Sequence, residues 1–265
     1  NPRFSAASGS ITISFFSLSG FSFLLTQYFQ FVHGYSPFGT GVRLLPVATS
    51  IAVAAVVGTK LAVRIGNKAV VAGGLALWGI ALVWISALSA STSYLEIVGQ
   101  MILAGGGLGL ITAPATEAVL GAVPTDKAGV GSAVNDATRL FGAALGVAVI
   151  GSVAASLYAN QLGSTIPPHL PLTAAAAARG SIGGALIAAR NLQHLGLAST
   201  AHDLAGAAIA AFLHSLAGSL RLASVIALAG AAMAALWLPS RPAAPAEPTD
   251  EELGLEAVIA AEALA

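Results

Sequence analysis

Apolar residues run along this chain in long blocks broken by short polar turns, without the two-residue alternation of half-buried strands. Six blocks, at about 11–32, 39–59, 69–90, 96–122, 131–158 and 216–238, reach the roughly 20 mostly apolar residues needed to cross about 30 Å of hydrocarbon. Lipid supplies no partner for backbone N–H and C=O groups, so such blocks are helices. The pattern predicts an all-α membrane protein, a six-transmembrane-helix bundle. Its parts are spans one to five with short loops in 1–158, a long loop in 159–215, span six in 216–238 and a tail in 239–265.

Composition agrees with the pattern. Of 265 residues, 56% are hydrophobic and 8% charged, against about 25% charged in soluble domains, and the mean hydropathy is +0.85. Eleven Lys and Arg balance eleven Asp and Glu, so nothing draws the chain to nucleic acid. The lack of Cys excludes disulfides and thiolate metal sites, and His194, His202 and His214 lack metal-ligand spacing. No cofactor is expected. No Ser/His/Asp constellation converges on one membrane face, so an enzyme is the least favoured class. The opening Asn1, Pro2 and Arg3 are not followed by a signal-peptide pattern. The chain reads as a fragment, natural or trimmed, of a longer polypeptide.

Basic residues in short loops set the orientation. Arg3, Lys60, Arg64, Lys68, Lys127 and Arg241 all fall on one side, and only Arg179 and Arg190 of the long loop on the other. Both ends are therefore expected in the cytoplasm, with a multi-pass bundle in the cell (inner) membrane, an extracytoplasmic 159–215 loop and an acidic cytoplasmic tail. Within that loop, LTAAAAARGSIGGALIAAR reads as a surface or re-entrant helix and not a seventh span.

Polar groups inside the apolar blocks are the candidate chemistry. Span one carries Tyr28, Phe29, Phe31 and Tyr35 near its outer end, which fits an interfacial belt. With Gln27, Gln30 and Tyr28 the same segment fits a cavity wall for an apolar substrate. Arg43 in GVRLLP stands at the outer mouth, where snorkelling to headgroups is the simpler reading. GGGLG at 105–109 lies inside an apolar run and not after a strand, which excludes a phosphate loop. Gly105 with Gly109, and Gly142 with Gly146, are four residues apart, the spacing that lets helix backbones approach closely. Pro114 predicts a kink in span four.

The sharpest features are three charges, Glu117, Asp136 and Arg139, since an ionisable group at the bilayer centre costs about 2.5–3.5 kcal/mol. In span five, Ser132, Asn135, Asp136, Arg139, Gly142, Ala143 and Gly146 recur at spacings of three and four, a polar stripe turned into the bundle. Asp136 and Arg139 are close enough to pair, and Glu117 lies at similar depth. Three roles fit: an ion pair or triad locking two helices, an inner gate or proton-linked switch, and direct substrate contact.

The order GVRLLP, GTKLAVRIGNK, LAGGGLGLITAPAT, KAGVGSA and RLFGAALGVAVIGSV, then a long loop and a last span closing on LP, resembles the C-terminal half of major facilitator superfamily drug:proton antiporters with 14 helices. Leu61, Ala62, Arg64, Gly66 and Lys68 match that family's basic inner-loop motif; Val63 stands where Asp is usual, and Gly58 is displaced by one position. The resemblance implies two inverted three-helix repeats, a missing N-terminal half that holds most proton-coupling acids, and proton-driven export of amphipathic small molecules by alternating access. A metabolite or siderophore exporter and a non-transporting membrane scaffold or subunit are the alternatives.

Overall fold

The computed structural model describes residues 2–120, 123, 127–166 and 170–238, so the 239–265 tail, with Arg241, lies outside the described residues. The helices are α1 (Pro2–Gln27), continued by a π-helical turn at Tyr28–Val32, α2 (Pro37–Arg43), α3 (Leu45–Ile65), α4 (Asn67–Ile85), α5 (Tyr94–Leu120), α6 (Ala128–Thr165), α7 (Leu172–Gly180), α8 (Ile182–His194) and α9 (Ala198–Trp237). Six stretches among the described residues are long and apolar enough to cross a membrane. The protein is a multi-pass, all-helical membrane bundle.

The spans stand where the hydrophobic blocks place them, but their ends differ. Span three stops at Ile85, five residues short of the predicted end. The Ser86 amide and Leu88 amide bond back to Leu82 and Ile85, and Ser89, Ser91 and Thr92 close a turn on their own hydroxyls. Hydroxyls that satisfy local backbone groups compete with helix continuation. Helices α6 and α9 instead run on through much of the predicted 159–215 loop, to Thr165 and from Ala198. The α9 extension is rich in alanine, which has high helix propensity and needs no lipid to stay helical. The loop's remainder folds as two short helices: Ser181 caps α8 by accepting from the Gly184 amide at 3.0 Å, and the Tyr158 hydroxyl of α6 donates to the Ala178 carbonyl of α7 at 3.0 Å.

Helices α3, α5, α1 and α6 lie side by side in that order, with α4 and α9 packed behind them. Exchanging the first three spans for the last three maps the α3–α5 contact onto α6–α1, and α4–α5 onto α9–α1. That is the pairing of two inverted three-helix repeats, half of a major facilitator fold. Glycine sets the two tight contacts. A Cβ at Gly105 or Gly109 would collide with backbone of Val47 or Ile51 in α3, and one at Gly142 or Gly146 with the Thr12 or Phe16 carbonyl in α1. The back layer is keyed by polar bonds: Trp78 Nε1 donates to Ser17 Oγ at 2.9 Å, and Ser224 Oγ donates to the Gly79 carbonyl at 2.8 Å.

The two flanking helices are poorly covered. Only 11% of the apolar window of the α2–α3 span and 22% of that of α6 is buried, against 44–50% for the other four. Between α3 and α4 the chain reverses at Gly66, whose φ of 89° suits glycine and few other residues.

Candidate functional site

Two polar centres lie at opposite ends of the bundle. One is near the end that carries Lys60, Arg64 and Lys68, called here the basic end. The other surrounds Tyr28 and Arg43, at the aromatic end.

At the basic end, Arg139 reaches from α6 to α5. Its Nη2 donates to Thr116 Oγ1 at 2.8 Å, and that hydroxyl donates in turn to the Thr112 carbonyl at 2.7 Å. The guanidinium carbon is 5.3 Å from the Phe15 ring centroid of α1, within cation–π range. From its place on α6, Arg139 thus touches two of the other three front helices, α5 and α1. Its Nε is buried without a hydrogen-bond partner among the described residues, and so is Asn135 Oδ1, one turn earlier on the same face. A buried unpartnered polar atom carries a desolvation cost of about 1–3 kcal/mol, so this donor and acceptor have unused capacity for water or an incoming group.

The polar stripe of span five divides in the structure. Gly131, Asn135, Gly142 and Gly146 are buried and Arg139 is half-buried, whereas Ser132 and Asp136 are exposed. With about 100° per residue, the buried face centres on Asn135, Gly142 and Gly146; Arg139 sits beside it and Asp136 beyond its edge. Glu117 on α5 is exposed as well. Among the described residues the hydrogen-bond partner of Arg139 is Thr116, not Asp136 or Glu117. The sequence pointed to the two carboxylates and passed over Thr116 and Thr112, whose only signal is a hydroxyl repeat at i and i+4 next to Glu117.

Pro114 lies between these two threonines, inside α5. Asn67 Nδ2, at the start of α4, donates to the Pro114 carbonyl at 3.4 Å, tying the Gly66 turn to the proline. Of the basic motif, Ala62 is buried, Leu61, Gly66 and Lys68 are half-buried, and Arg64 is exposed.

At the aromatic end, Arg43 lies against two rings, its guanidinium carbon 3.7 Å from the Tyr35 centroid and 5.7 Å from that of Tyr94. Its Nη1 donates to the Gly39 carbonyl at 3.2 Å, and the Tyr94 hydroxyl donates to the Arg43 carbonyl at 3.3 Å. His33 stacks on Tyr35 as well, with ring centroids 5.5 Å apart and 14° between planes. Tyr28 is fully buried, its hydroxyl donating to the Ser89 carbonyl at 2.7 Å, with His33 Nε2 3.0 Å from the same oxygen. With the tyrosine proton on Ser89, the imidazole is the donor, which assigns the proton to Nε2. Burial, and then the Arg43 charge, hold the His33 pKa below its usual 6.5.

Of the span-one candidates, Gln27 lines a cavity of about 170 Å³ between α1, α6 and α9, and Gln30 lines a wider one of about 820 Å³ beneath α8 and the start of α9. Tyr28 is packed against Phe29 and His33 and belongs to neither lining. His33 and Tyr94 are the contributors that the sequence did not mark.

Several known proteins are similar to this chain in sequence. The Multidrug resistance protein Stp of Mycobacterium tuberculosis is 34% identical over 167 residues, 63% of this chain and 30% of that protein. The Methyl viologen resistance protein SmvA of Salmonella typhimurium is 30% identical over 176 residues, 66% of this chain and 35% of that protein. The Multidrug efflux pump LfrA of Mycolicibacterium smegmatis is 28% identical over 196 residues, 74% of this chain and 38% of that protein. The chain therefore spans well under half the length of these curated relatives. The family model described as Major Facilitator Superfamily matches residues 2–147, more than half of the chain, and with six spans packed as two inverted repeats the chain belongs to the Major Facilitator Superfamily.

Proposed function

We propose that this chain is the C-terminal half of an efflux transporter that exports drugs or related amphipathic small molecules by alternating access, in exchange for protons. The observation that carries the reading is the Arg139 centre. A guanidinium held between α5 and α6 by one hydroxyl, with buried Nε and Asn135 Oδ1 unpartnered among the described residues, suits a polar junction that changes partners as helices move. A static lock would be better satisfied. Similarity to proteins named for drug resistance and efflux supports the substrate class.

In this reading the bundle lies in the cell membrane with the basic end facing the cytoplasm. The missing half packs on the uncovered faces of α3 and α6, where Ala144, Ala148 and Ser152 recur every four residues on the exposed side of α6. Small residues at that spacing favour helix–helix contact over lipid. The Pro114 region and the Gly66 turn flex while this half rocks against its partner, and substrate passes between them near the midplane.

The test is proton-driven uptake into inverted vesicles bearing the complete polypeptide. Arg139→Ala is expected to abolish substrate-coupled proton movement while surface expression and monodisperse elution persist. Unchanged transport would refute the role given to Arg139.

A further inference from the structure

The uncovered flank of α3 also borders a groove that the second repeat lacks. The repeat exchange maps the α3–α4 gap onto α6–α9, where the helices are in close contact; α3 and α4 barely touch, and a cleft of about 740 Å³ remains between them with α5 as its floor. Its walls are Leu45, Val53 and Val57 of α3, Leu77 of α4, and Ile102 and Gly106 of α5. The three hydroxyls that border it already donate elsewhere, Thr49 to the Leu45 carbonyl at 3.0 Å, Ser50 to that of Pro46 at 2.7 Å and Tyr94 to that of Arg43 at 3.3 Å. The groove thus offers a ligand only apolar surface.

Its direction and its mouth identify the occupant. On α5, Ile102, Gly106 and Leu110 lie opposite the buried Ala104, Leu108 and Ala115, so the groove opens away from the bundle core. From Leu45 to Val57 it runs about 18 Å at roughly 1.5 Å per residue, close to the ~15 Å hydrocarbon depth of one leaflet. At its upper end stands Tyr94, with Arg43 beside it. Arg43 spends Nη1 on the Gly39 carbonyl and is only half-buried, so part of its guanidinium stays accessible beside this mouth. Glu96 is two residues past Tyr94, on the other side of the α5 turn. A cationic amphiphile would meet a like charge at this mouth; a phospholipid would meet an opposite one.

We propose that the α3–α4 groove seats an acyl chain of a phospholipid from the leaflet at the aromatic end, with the lipid phosphate held by the Arg43 guanidinium. This assignment does not rest on the transport reading. It can be tested on the complete purified polypeptide by native mass spectrometry, titrating with 1-palmitoyl-2-oleoyl-phosphatidylglycerol. One molecule is expected to stay bound. Arg43→Ala should weaken it about tenfold, the loss of one charge-assisted contact, and Arg43→Lys should recover most of that. A Cβ at Gly106 meets only Leu77 Cδ2, at 3.9 Å, so Gly106→Leu grows into the groove and should eliminate the bound lipid without disturbing the backbone. A photo-crosslinker at Val53, 67% exposed, should yield an adduct of phospholipid mass. Equal lipid retention in Arg43→Ala and Gly106→Leu would overturn the proposal, and so would a Val53 crosslink to a peptide of the same polypeptide, which would put a helix in the groove.

Discussion

Arg43 and Arg139 are both arginines within apolar helices, yet their surroundings differ in kind. Arg43 lies against the Tyr35 ring, with Tyr94 nearby and the Gly39 carbonyl within hydrogen-bond distance, all within one end of the bundle. Arg139 bridges separate helices and, among the described residues, has one hydroxyl as acceptor and leaves Nε buried without a partner. The first keeps the Gly39 carbonyl of its own helix and the Tyr35 ring of the adjoining connection, so moving α5 would take from it only the more distant Tyr94 ring. The second depends on the relative position of α5, α6 and α1. An intramembrane charge is thus better judged by which elements share it than by its depth.

The largest expected contrast is between the two alanine variants. Arg139→Ala removes a charged hydrogen bond worth about 1.5–3 kcal/mol, and the initial transport rate in inverted vesicles should fall roughly ten- to hundredfold or more. Arg43→Ala should change that rate by no more than about two- to fivefold, the ~0.5–1 kcal/mol of an exposed cation–π contact. Equal losses would erase the distinction.

Thr116→Val comes next. It leaves the guanidinium without its acceptor, and a cost of about 1 kcal/mol predicts roughly a fivefold slower rate. Asp136→Asn and Glu117→Gln leave the Arg139–Thr116 bond intact and should each stay within about twofold of the parent rate, roughly 0.4 kcal/mol. If either matched Arg139→Ala, the ion-pair reading of the inner end would return.

The smallest effect concerns His33. Its pKa lies below 6.5 because burial and then Arg43 disfavour the imidazolium. The unfolded chain therefore binds the proton more readily, so the contribution of neutral His33 to stability is complete above about pH 6.5 and declines as pH falls below it. Arg43→Ala should raise this pKa part of the way towards 6.5, since burial remains, and carbon-detected NMR of labelled histidine in the full polypeptide reads the change. A pKa that does not move would mean that Arg43 is not felt at the ring.

The six spans were legible because twenty apolar residues in a row admit few folds. The close helix pairs were marked by glycine spacing, and the structure puts Gly105, Gly109, Gly142 and Gly146 at backbone contacts. Helix ends were not legible, since a helix can continue past the apolar block, as α6 does to Thr165 and as the alanine-rich start of α9 does from Ala198. Nor was the centre of the polar stripe: periodicity gives a face but not its rotation, and about 60° separates half-buried Arg139 from exposed Asp136. Thr116 was hidden because a hydroxyl that bonds to its own helix looks, in sequence, like any other small residue.

The lengths of α6 and α9 carry a mechanical consequence. At about 1.5 Å per residue, 38 and 40 residues make rods of roughly 57 and 60 Å, nearly twice the hydrocarbon thickness of about 30 Å. Joined by the α7–α8 hairpin, they form a stiff lever whose far arm stands clear of the bilayer. A tilt of about 10° at the midplane displaces its tip by roughly 5 Å, so a pair of distance probes on that arm would report motions too small to resolve within the membrane.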